Sequence, residues 1–146
     1  MPENTSGSGA AAVTDIQEAL IFAMVTIAAV DREISDSELQ RIGRIVSHLP
    51  AFRGFDLETL VPTAEACGNM LSTDDGLDRV LDKIATTVPA RLRETAYALA
   101  VEIAAADLSV SAEEARFLEM LADRLGLDKL NTVAIERGAR ARHVKI

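Results

Sequence analysis

The stretch VTIAAVDREISDSEL at Val25–Leu39 returns as VEIAAADLSVSAEEA at Val101–Ala115, so that residue 25 meets residue 101 at an offset of 76. Identical pairs include Val25 with Val101, Ile27 with Ile103, Ala28 with Ala104, Asp31 with Asp107, Ser35 with Ser111 and Glu38 with Glu114. Beyond them Ile42, Ile45 and Leu49 fall on Leu118, Leu121 and Leu125. Self-similarity at one fixed offset is the mark of a duplicated structural unit. The chain is therefore expected to consist of two related halves, with helices one and two repeated as helices five and six about a pseudo-two-fold axis.

Periodicity supplies the elements. Residues 1–13 are small and polar and cannot bury enough surface to offset the entropy of ordering them, so they read as a disordered lead to one domain over residues 14–146. Thr14 and Gln17 have the spacing of a capping box, and Ile16, Leu20, Ala23, Ile27 and Val30 behind them recur at helical intervals to about Asp31. The remaining faces of this helix hold Ile21, Phe22, Met24, Val25 and Ala28, which suits a helix at the centre of a domain. Ser35 with Glu38 caps a second, amphipathic helix that stops at Pro50. Asp56 caps a short segment, and Pro62–Leu71 forms a further piece. Thr73 or Asp74 caps the helix of Leu77, Val80, Leu81, Ile84 and Val88, and Pro89 opens a second apolar helix through Ile103. Ser111 with Glu114 caps a helix that ends at Gly126, and Asp128 caps the last, through Leu130, Val133 and Ile135. No segment alternates with period two over a strand's length, which predicts an all-α fold of about seven helices.

Composition narrows the chemistry. With 146 residues, 49% apolar, the chain suits one domain. Its net charge of −8 is the wrong sign for a surface that tracks phosphates, so general nucleic-acid binding is not expected. One cysteine, Cys67, permits no internal disulfide, and with His48 and His143 alone it makes no zinc cage. The start has no basic segment followed by an apolar core, and Asp31, Arg32 and Glu33 interrupt the first apolar run, which predicts neither a leader peptide nor a membrane span and fits a reducing, cytoplasmic setting.

Each half carries the phrase A-x-D-x-x-[IV]-S-x-x-E at a helix-turn-helix corner. A purely structural reading has the β-branched residue stapling the turn, the serine capping the next helix and the glutamate returning to the serine amide. Asp31 and Asp107 ask for more, because an aspartate at a helix C-terminus meets the negative pole of the macrodipole, at a cost of about 0.3–1 kcal/mol. Either a hydrogen bond to turn amides or a cation held by Asp and Glu oxygens compensates. A calcium-binding EF-hand does not fit, since Ile27 and Ala29, or Ile103 and Ala105, would stand where oxygen donors are required.

This doubled corner resembles that of the TerB-like tellurite-resistance proteins, over about Ile16–Val133. The resemblance implies an all-helical bundle with an internal repeat, a part in tellurite resistance and wider stress responses, and association with other Ter-system proteins, a membrane partner among them. It also implies metal binding at acidic positions, which map here to Asp31, Glu38, Asp107 and Glu114. Family members often read Asp-Gly at the first corner, whereas Arg32 and Leu108 follow the aspartates here, and an arginine beside Asp31 weakens the case for a cation in that half. Oxygen ligands favour calcium, magnesium or manganese over zinc or copper.

These features describe a non-enzymatic binding or scaffold domain. No Gly-rich phosphate loop, G-x-S-x-G or H-E-x-x-H occurs. Cys67, in EACGNML without a nearby histidine, reads as a core thiol, and His48 as a partner for helix-end carbonyls. The tail ERGARARHVKI carries Arg137, Arg140, Arg142 and Lys145 with no acid after Glu136. It is either a solvated helix end suited to the negative pole or, in the alternative functional reading, a metal-free docking element for an anionic, membrane-associated partner.

Overall fold

The computed structural model describes residues 12–30, 33–106 and 109–146, and every regular element among them is helical. The α-helices are α1 (Val13–Ala29), α2 (Asp36–His48), α3 (Leu60–Leu71), α4 (Gly76–Thr87), α5 (Arg93–Ala105), α6 (Ala112–Leu125) and α7 (Lys129–His143). Short 3-10 turns at Pro50–Phe52, Leu57–Thr59 and Ala90–Leu92 join them. The all-α expectation and the number of helices hold.

The middle of the bundle is α1 against α5, the most extensive of the helix pairings. Every residue of α1 from Ala19 to Ala28 is buried, as a helix apolar on all faces requires. Its neighbour α5 buries Ala96, Tyr97, Leu99, Ala100, Val101, Ile103 and Ala104. α3 and α4 lie on α1, α7 lies on α5, and α6 bridges α4 and α5. α2, α4 and α6 each bury one stripe, Ile42 and Val46 in the first, Val80, Leu81 and Ile84 in the second, Phe117, Leu118, Leu121 and Leu125 in the third.

Several local expectations change. Thr14 and Gln17 form no capping box: α1 begins one residue before Thr14, its N-cap is Ala12, and no side chain caps it. Gln17 is instead buried and its Nε2 donates to Ala51 O and Arg53 O, both at 3.2 Å, holding the turn after α2 against α1. A tertiary demand for two backbone acceptors took the side chain from its local role. Neither Thr73 nor Asp74 caps α4. The N-cap is Asp75, in the left-handed region at φ 58°, with no side-chain cap bond. Gly76 follows because the turn from α3 is too tight for a side chain, a Cβ there lying 2.4 Å from Met70 O. α1 ends at Ala29 with Val30 as its C-cap, and Asp31 lies outside the described residues. Val13, expected in the lead, is already helical, and the rest of the expected lead up to residue 11 lies outside the described residues.

Other signals hold. Asp56 Oδ1 accepts from Glu58 N at 3.0 Å and Asp128 Oδ1 from Leu130 N at 2.8 Å. Gly126 terminates α6 at φ 68°, a conformation that favours glycine. α7 runs past Ile135 to His143, and its expected stripe is only partly realised. Ile135 packs on the core, whereas Leu130 and Val133 are 75% and 42% exposed. Among the described residues no helix is long and apolar enough to cross a membrane.

Candidate functional site

Both repeated corners close with the same device. Glu38 N donates to Ser35 Oγ at 3.2 Å, and Ser35 N donates back to Glu38 Oε1 at 3.0 Å. At the second corner Glu114 N donates to Ser111 Oγ at 3.0 Å and Ser111 N to Glu114 Oε1 at 2.9 Å. Two amides that the start of each helix would leave unpaired are satisfied reciprocally. One oxygen of each glutamate is thus fixed beside its corner. Asp31 and Asp107, the other two expected ligands, lie outside the described residues.

The β-branched residue behaves differently at the two corners. Ile34 packs against the core, as a staple should. Val110 is 45% exposed and staples nothing. Among the described residues no group of three or more His, Cys, Asp or Glu side chains stands close enough to share a metal ion.

Cys67 is fully buried in α3, with Sγ 3.4 Å from Thr26 Oγ1 and donating to Phe22 O at 3.8 Å. Burial pushes its pKa up to about 11, with the hydrogen bond to Thr26 acting the other way and the Glu18 charge adding to the rise. A thiol so placed is a core residue, because the thiolate is the reactive form. His48 Nδ1 lies 2.8 Å from Arg44 O, within its own helix, as the helix-end reading expects.

Three polar arrangements escaped the sequence reading. Arg93 Nη1 donates to Leu125 O at 2.9 Å and Nη2 to Ala85 O at 3.2 Å, so one guanidinium ties the C-terminal turns of α6 and α4. Tyr97, buried in α5, donates its hydroxyl to Glu136 of α7, and burial together with that carboxylate holds the phenol well above its ordinary pKa. Glu102 accepts from Arg142 Nη2 at 2.6 Å and lies 2.5 Å from His143 Nε2. Burial alone would raise the Glu102 pKa, but the hydrogen bonds and charges of Arg142 and His143 outweigh it and hold the carboxyl below its ordinary value. Apart from Arg93 to Ala85, 8 residues apart, each bond joins residues 32 to 41 positions apart, a separation that no local motif registers.

Grooves open beside both corners. The first, about 600 Å³ between α1, α2 and α3, is floored by Val25, Ala29, Ile34 and Leu39. The second, about 320 Å³ between α5, α6 and α7, is floored by Val101, Ala105, Val110 and Ala115, the residues 76 positions farther along.

The family model described as "Tellurite resistance protein TerB" matches residues 17–137. No curated protein and no solved structure matches the chain.

Proposed function

Since the chain belongs to the TerB family of tellurite resistance proteins, we propose that it is a non-enzymatic binding and scaffold domain of a tellurite-resistance or general stress-response system that holds a divalent cation at its acidic corners. The observation that supports this reading is the pair of reciprocal Ser–Glu boxes, which orient Glu38 and Glu114 at the corners whose sequences also carry Asp31 and Asp107. The donors are hard oxygens, which suit calcium, magnesium or manganese. Asp107 with Glu114 is the better pair, because in the sequence the cationic Arg32 follows Asp31 whereas the uncharged Leu108 follows Asp107. Backbone carbonyls at the end of α5, Glu113 or water complete the shell, and affinity is weak.

The engagement of Arg142 and His143 by Glu102 favours this reading over a metal-free module that docks a membrane partner through the basic tail, because part of the tail's charge is already matched within the chain. Calorimetric titration of metal-free protein with calcium, magnesium, manganese and zinc is the test. Heat is expected with one of the first three, and Asp107→Asn with Glu114→Gln should abolish it while the helical circular-dichroism spectrum persists. No heat from the native chain would make the corners structural.

A further inference from the structure

Away from both corners, two cavities share Leu49 and Thr95 in their walls and so form one trough. One part, about 550 Å³, lies between α2 and α5, and the other, about 560 Å³, continues past the first turn of α5 to the start of α1. Ile16, Ile45, Leu49 and Leu92 pack on the core and stay partly open to the trough, so its floor is apolar. The trough follows α5 from Leu92 to Glu102, about 15 Å at ~1.5 Å per residue. That is about three turns of a helix.

Its rim reverses the sign of the chain. Against a net charge of −8, Arg91 lines one part and Arg44 the other, both exposed. Neither guanidinium has a hydrogen bond or ion pair among the described residues. Glu102 is the one carboxylate lining the trough among those residues, and Arg142 and His143 already hold it. An apolar floor thus carries unmatched positive charge in both of its parts.

Charge in both parts decides the class of occupant. A fatty acid or phospholipid carries its charge at one end and would leave one arginine unmatched. An extended peptide needs a strand edge for its backbone, and every regular element among the described residues is helical. A helix satisfies its own backbone, and acidic residues at the two ends of one face can meet both arginines. We infer that the trough receives an amphipathic helix of a partner protein, with apolar side chains on Ile45, Leu49 and Leu92 and acidic residues toward Arg44 and Arg91. The inference rests on the scaffold part of the proposed function and gives the partner a chemistry, and the cation has no part in it.

The test is fluorescence anisotropy of a labelled, stapled synthetic helix of about three turns, with leucines along one face and glutamates at both ends of it, titrated with the full chain in chelator. The chelator separates this result from the cation titration, so either can fail alone. Saturable binding is expected, weaker in high salt. Arg44→Glu with Arg91→Glu turns two exposed pairs from attraction to repulsion and should lower the affinity about tenfold. The doubly reversed chain should instead bind the same helix with lysines in place of its glutamates, which the native chain should reject. Arg116→Glu, at an exposed arginine of α6 outside the trough, should leave the affinity nearly unchanged. Exchanging the peptide's charges leaves the native chain intact, so the test holds even if a reversed chain fails to fold. No binding of the acidic helix, or binding indifferent to the peptide's charge, overturns the proposal. Dodecanoate bound more tightly than the helix also overturns it, assigning the trough to a lipid chain, as does a native chain that sediments as a dimer and excludes the peptide.

Discussion

Helix α3 lies on α1 and helix α7 on α5, each following a helix that a Ser–Glu box caps and covering one of the two central helices. They are fastened by different means. α3 buries Leu60, Ala64 and Cys67, and the Thr26–Cys67 contact lies wholly inside. α7 buries only Thr132 and Ala139 and relies on ties that reach solvent: Tyr97 to Glu136, Asn131 to Glu94, and Arg142 with His143 to Glu102. The corners follow suit, Ile34 and Glu38 being packed in where Val110 and Glu114 are more open. A central helix can thus be covered through apolar burial or through polar bonds, and the two respond to different perturbations. Burial is sensitive to lost volume, and ion pairs are sensitive to pH and salt.

The largest contrast should appear at Ile27 and Ile103, the matched positions at the centre of α1 and α5. Either isoleucine replaced by alanine costs about 2–5 kcal/mol through lost transfer energy and the cavity left behind. Ile27 is fully buried and Ile103 is 5% exposed at the less tightly covered side, so Ile27→Ala should cost more. Urea denaturation of both variants measures the difference. A greater loss at Ile103 would mean that α7 seals α5 as well as α3 seals α1.

A smaller effect is expected at the capping serines. Ser35→Ala and Ser111→Ala should each cost about 0.5–2 kcal/mol. Ser35 should be the costlier loss, because its hydroxyl also donates to Glu38 Oε1 at 3.1 Å and Glu38 is only 8% exposed. Equal losses, measured in the same denaturation series, would show the box to be indifferent to its surroundings.

What was legible in the sequence divides along the same line. The capping boxes at Ser35 and Ser111, the cap at Asp128 and the stop at Gly126 were readable because each is complete within four residues and needs no distant partner. The all-round apolarity of α1 and α5 was enough to put them at the centre. Gln17 misled because its spacing from Thr14 satisfied a local rule while two carbonyls after α2 claimed it. The seam of α7 was invisible because Glu102 and its partners are 40 and 41 residues apart, and nothing in ERGARARH distinguishes a solvated end from a docked one. Of the candidate cation ligands, the glutamates were placed by their caps, and Asp31 and Asp107 lie outside the described residues.

The smallest effect, and the one that separates the two seams most directly, is acid release of α7. Because Arg142 and His143 hold the folded Glu102 pKa below its ordinary 4.5, the unfolded chain takes up this proton first as pH falls. The stabilisation is therefore fully present above about 4.5 and is lost as pH falls through the lower, folded value. The pairs are partly exposed, so the loss is under about 1 kcal/mol. Amide exchange, corrected for its intrinsic pH dependence, should show protection across α7 falling in that window while α3, whose seam holds no ion pair among the described residues, keeps its protection. Glu102→Gln should weaken α7 at neutral pH and remove this part of the acid response. If α3 and α7 instead lose protection together in both proteins, the bundle opens as a single unit and the difference between its seams has no energetic consequence.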